Sequence, residues 1–117
     1  MSVYADLALM PGVIAAGEYA YRGDRYNYKG RLTDEMARMA SIMCRATTLG
    51  AHMQVDILCA NTDNCPFDPA HGWVVRGPDF SVCVIANVFC FVENGPGVLN
   101  SVLKRMRDRL AGAGEMV

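Results

Sequence analysis

Residues 33 to 59, TDEMARMASIMCRATTLGAHMQVDILC, form a helical pattern with too little polar surface for a helix that packs on one side only. Thr33 is placed to cap its first turn, and Asp34 and Glu35 suit the positive end of the macrodipole. On a wheel of about 100° per residue, Arg38, Ser41, Arg45, Thr48, His52 and Asp56 fall on one narrow strip. Met36, Met39, Ala40, Ile42, Met43, Cys44, Ala46, Leu49, Ala51 and Met53 take almost everything else. A helix resting on a core needs an apolar stripe only somewhat wider than about 100°. One flank is therefore expected against the chain's own sheet. A second flank, Met39, Ile42, Leu49 and Met53, is expected to meet something else. Gly50 costs about 1 kcal/mol relative to alanine inside a helix and marks a point where this one can bend.

The flanking segments supply the sheet. Residues 3 to 10 can form a short helix capped by Ser2, and Pro11-Gly12 ends it. VIAAGEYAY and RYNYK alternate as two strands around the turn RGD at residues 22 to 24. Ala15, Ala16 and Gly17 in the first strand imply a close neighbour. After the long helix come three strand patterns, GWVVRG, FSVCVIA and VFCFVE. The last two are apolar on both faces, so the sheet must be covered on both sides. Ala86-Asn87 makes the tight turn between them. In the closing helix, Gly95 reads as the cap and Pro96 as the first helical position. Leu99, Val102, Leu103, Met106 and Leu110 form one stripe, while Lys104, Arg105, Arg107 and Arg109 face outward as a solvated surface. The tail AGAGEMV is expected to fray. This order, helix, two strands, long helix, three strands, helix, predicts a single α/β domain over residues 1 to 117. Its five-stranded antiparallel sheet would carry the long helix on one face and the terminal helices on the other.

At 117 residues the chain can bury roughly two-thirds of its unfolded surface without a metal or a disulfide. Its hydrophobic fraction of 52% exceeds what a small monomer easily hides, which points to an oligomer. A formal net charge of −1 argues against nucleic acid as a partner, since phosphate binding needs uncompensated Lys and Arg. No run approaches the length of a membrane span, and the N-terminus lacks the basic region of a signal peptide. The expected location is cytoplasmic, with the five cysteines as thiols rather than a disulfide framework. Cys44, Cys83 and Cys90 lie in apolar runs and read as small hydrophobes.

The segment CANTDNCPFDPAH, residues 59 to 71, invites a metal reading through Cys59, Cys65 and His71, with Asp63 and Asp68 between them. Structural zinc sites usually bring their ligands in close pairs on tight turns, and C-x₅-C-x₅-H is not such a spacing. The segment is read as a loop with no metal, and a reversible Cys59–Cys65 disulfide is the alternative. His52 and Asp56, four apart, are read as solvated helix surface, because no nucleophile accompanies them. His71 beside Trp73 is read as a packed or edge pair. There is no phosphate-binding glycine loop and no H-E-x-x-H. No cofactor is called for.

LALMPGVIAAGEYAYRGD, with Pro11, Gly12, Val13, Ala15, Ala16, Gly17 and Gly23, resembles the opening of the roadblock/dynein light chain family. HGWVVRGPDFSVCVIANVFCFVEN is similar to an uncharacterised bacterial branch of that family, and the likeness covers essentially the whole chain. It implies a non-enzymatic homodimeric scaffold or regulator, often of a small Ras-like GTPase or a signalling assembly, with no catalytic residues. Pairing would run through the long helix at Met39, Ile42, Leu49 and Met53, and through an edge strand of Trp73, Val74, Val75 and Arg76. The competing expectations are an accessory subunit of a larger metabolic complex, and a small-molecule or redox sensor using its cysteines or its Met-lined surface.

Overall fold

The computed structural model describes residues 2–22, 25–67 and 70–110. Gly23 and Asp24 of the RGD turn, Asp68 of the loop and the 111–117 tail lie outside the described residues. The elements run α1 (Val3–Ala8), β1 (Val13–Tyr19), β2 (Tyr26–Gly30), α2 (Asp34–Leu58), β3 (Gly72–Arg76), β4 (Phe80–Ile85), β5 (Val88–Glu93) and α3 (Val98–Leu110). The five strands form one antiparallel sheet in the order β2-β1-β5-β4-β3. This is the layout that the alternation of apolar residues led us to expect.

Alternation along the central strands sorts the core into two layers. Val88, Cys90 and Val92 point toward α1 and α3, where they meet Leu7, Val102 and Met106. Phe89, Val82 and Val84 point the other way, toward Tyr19, Ala40 and Cys44 beneath α2. The three free cysteines are all buried within these layers, as small apolar side chains. Burial pushes the Cys44 thiol up to about 12, which makes it inert as a nucleophile near neutral pH.

Local chemistry sets most of the element ends. The Thr33 hydroxyl accepts from the Met36 amide at 3.1 Å and starts α2 where a cap was expected. Gly12 takes φ +83°, a left-handed conformation that reverses the chain after Pro11. At α3 the sequence reading places the start two residues early. Gly97 sits at φ +72°, which interrupts the right-handed run, so the helix opens at Val98 rather than at Pro96.

The outer face of α3 also departs from a plainly solvated surface. Arg105 and Arg109 both reach across to Asp6 on α1, at 3.0 and 2.6 Å. Hydrogen bonding from Arg105, aided by Arg109, holds the Asp6 carboxyl below its ordinary value of 3.8 against the opposing effect of desolvation. The pairs therefore stabilise the fold above that ordinary value, and their contribution disappears as pH falls through the lower folded value. Asp6→Asn is expected to lower the thermal midpoint near neutral pH. The gap to the parent should close as the buffer is taken to about pH 2, in melts followed by circular dichroism.

Candidate functional site: the outer face of α2 and the free edge of the sheet

The side of α2 that meets the sheet is made of small residues. Ala37, Ala40, Ser41, Cys44 and Thr48 are its buried positions. Part of the polar strip singled out on the helical wheel thus lies inward, which reverses the expected solvated surface along most of its length. Each inward polar group has a partner. Ser41 Oγ donates to the Ala37 carbonyl at 2.8 Å, and Arg45 Nε donates to the Tyr21 carbonyl. Thr48 Oγ1 accepts from Trp73 Nε1 at 2.8 Å and lies 3.0 Å from the Tyr19 hydroxyl. Burial without unpaired donors costs little, and small side chains let the helix sit close over Tyr19, Phe89 and Trp73. Burial pushes the Tyr19 phenol up to about 12, so it stays a neutral hydroxyl in this network. His52 is half-buried at the end of the same strip, whereas Arg38 and Asp56 are exposed.

What small residues do inside, large ones do outside. Met39 is 57% exposed, Ile42 48%, Leu49 50% and Met53 65%. Met36, Met43 and Ile57 extend the same surface. These are the flank residues that the helical wheel left without a partner inside the domain. Because α2 crosses the sheet obliquely, touching β2, β1 and β3, it leaves one corner of that face open. There a trough of about 610 Å³ is walled by Met36, Met39 and Met43 on the helix and by Ile14, Phe80 and Phe91 on the sheet.

Strand β3 borders this open corner. It pairs with β4 alone and forms one edge of the sheet. Trp73 and Val75 share the α2 face, and Val74 and Arg76 the opposite one, as their register with Val84, Val82, Cys83 and Ser81 shows. Val74, Val75 and Arg76 are exposed, while the Trp73 indole is half-buried and held by Thr48. Of the expected edge residues, three therefore present side chains outward and Trp73 presents its backbone.

Two features of the neighbouring region escaped the sequence reading. Both histidines of the chain, His52 on α2 and His71 ahead of β3, border one cleft of about 210 Å³ together with Tyr21 and Trp73. No periodicity links residues 52 and 71, so only the fold brings them to one place. The loop between α2 and β3 is closed by a disulfide joining Cys59 to Cys65, where the sequence favoured free thiols. Cys59 caps α2 and the chain doubles back through Asn64 at φ 54°, which brings the two Cα atoms to 5.5 Å, a normal disulfide span. Among the described residues, no three His, Cys, Asp or Glu side chains gather as a metal-binding group.

Among the described residues, no helix is long and apolar enough to cross a membrane. No curated protein matches the chain. Residues 4–108, spanning α1 through nearly all of α3, match the model of a family described as "uncharacterized conserved protein (DUF2173)". A match over that length places the whole folded unit, trough and free edge included, within one family, and the chain belongs to DUF2173.

Proposed function

We propose that this protein is a non-enzymatic, homodimeric scaffold of the roadblock type, working in the cytoplasm on a small Ras-like GTPase or a signalling assembly. The observation that carries the dimer is the inverted burial of α2. A 25-residue helix turns its alanines, Ser41 and Thr48 inward and leaves its methionines, Ile42 and Leu49 in solvent. An exposed apolar surface of that extent, flanked by an open trough and a free strand edge, is characteristic of an interaction site. A second copy is the simplest occupant, because one two-fold axis would cover both the helix face and the edge of β3. The scaffold role and the GTPase class rest on the likeness of residues 7 to 24 and 71 to 94 to roadblock proteins.

The test is the mass in solution, by light scattering on a sizing column at low micromolar concentration. A mass near twice 12.8 kDa supports the dimer, and the dimer then becomes the bait for nucleotide-loaded GTPases. A clean monomer overturns it and leaves the apolar face to a different protein, as an accessory subunit would use it. The Cys59–Cys65 disulfide favours a second reading, a redox sensor, because it ties together the chain between α2 and β3. That reading requires reduction to change the mass or the partner bound.

A further inference from the structure

We propose that the two copies of α2 cross antiparallel, with Ala46 and Gly50 at their point of closest approach. This rests on the dimer reading above and adds its geometry. On the wheel, Ala46 lies almost diametrically opposite the buried set of Ala37, Ala40, Ser41, Cys44 and Thr48. The exposed residues Met36, Met39, Met43, Ala46, Gly50, Met53 and Ile57 follow one another at alternating steps of three and four, the spacing of a helix–helix seam. That seam is high at both ends, where the methionines and Ile57 stand, and low in the middle, where Ala46 and Gly50 stand. Two such helices can approach closely only where both are low, as small residues four apart allow at other helix crossings.

Gly50 is the second observation. It lies inside α2 with an ordinary helical backbone, and no atom of the chain comes within 4 Å of where its Cβ would be. Nothing within the monomer asks for glycine here, although it weakens the helix by about 1 kcal/mol relative to alanine. A backbone passing over this point from outside does ask for it.

Orientation follows from charge and from the sheet. Arg38 stands exposed near the first end of α2 and Asp56 near the last. A parallel pair would set Arg38 against Arg38 and Asp56 against Asp56, whereas an antiparallel pair sets each beside its opposite. An axis normal to the sheet that makes the helices antiparallel also makes the two β3 edges antiparallel, so a single operator serves both surfaces.

Gly50→Leu tests the crossing, with the mass of the parent and the variant measured at the same concentration. Leucine is the better helix former, so the variant should keep or gain helicity and thermal stability as a monomer. Its self-association should fall about a hundredfold, as when a hot spot is blocked. A variant that stays dimeric would overturn the crossing while leaving the dimer intact. A parent that is itself monomeric would overturn both. Orientation is read by mixing Arg38→Cys and Asp56→Cys copies, distinguished by a tag, with a short bifunctional thiol reagent. Crosslinks between unlike copies are expected. Crosslinks between like copies only, or none in a dimeric parent, would overturn the antiparallel arrangement.

Discussion

Met53→Glu is expected to yield a folded, helical monomer, and Ile42→Glu to do the same. Both side chains are about half or more exposed in the single chain, at 65% and 48%, so their replacement removes little internal packing. Surface changes of this kind normally stay within about 0.5 kcal/mol of the parent stability. In the dimer the same positions lie in an apolar seam, and two-fold symmetry introduces the carboxylate twice. An unpaired charge in such a place costs several kcal/mol. At roughly 3 kcal/mol or more, the self-affinity drops by a hundredfold or beyond. Light scattering reads the loss of the dimer, and circular dichroism checks that helicity is unchanged. The contrast is with Cys44, fully buried on the inner side of the same helix, where a glutamate should unfold the chain. If both surface variants remain dimeric, the pairing surface lies elsewhere and the apolar face of α2 serves another protein.

The sheet and its covering helices were legible because strands that are apolar on both faces leave no other arrangement. Phe89 and Phe91 alternate with Val88, Cys90 and Val92, and the two sets do go to opposite layers. The start of α2 was legible for an equally local reason, since Thr33 caps the helix through its own side chain. Which flank of α2 lies inward was not. When apolar residues cover most of a helix, periodicity no longer points to one side. The choice falls to side-chain size and to whether polar groups find partners. Ser41 finds the Ala37 carbonyl and Thr48 finds Trp73, so a strip that looks solvated can be buried at little cost. Likewise, Asp6 and Arg105 lie 99 residues apart, and no local rule joins them. The Cys59–Cys65 bond depends on how the chain turns at Asn64, and spacing alone does not show that.

Phe89→Ala is expected to be the most destabilising single truncation on the α2 side of the sheet. The ring is fully buried, packs edge-on against Phe91 at a centroid distance of 5.9 Å, and lies over Gly17 of the neighbouring strand. Removing a buried Phe side chain typically costs about 3–5 kcal/mol, from lost transfer energy and the cavity left behind. That is a large share of the roughly 5–15 kcal/mol by which such domains are stable. Gly17 is the counterpart of this ring. A Cβ there would collide with the Phe89 ring and with the Asn27 carbonyl on β2, so Gly17→Ala should itself cost about 1–3 kcal/mol through overpacking. Combining the two substitutions separates these clashes. Without the ring, the alanine methyl gains space on one side while still meeting the Asn27 carbonyl on the other. The double variant should therefore be more stable than the sum of the single losses allows, by about 1 kcal/mol, but should not recover fully. Urea unfolding of the four proteins measures that coupling. Strict additivity would mean that Phe89 does not confine Gly17, and that the small residues of β1 answer to β2 alone.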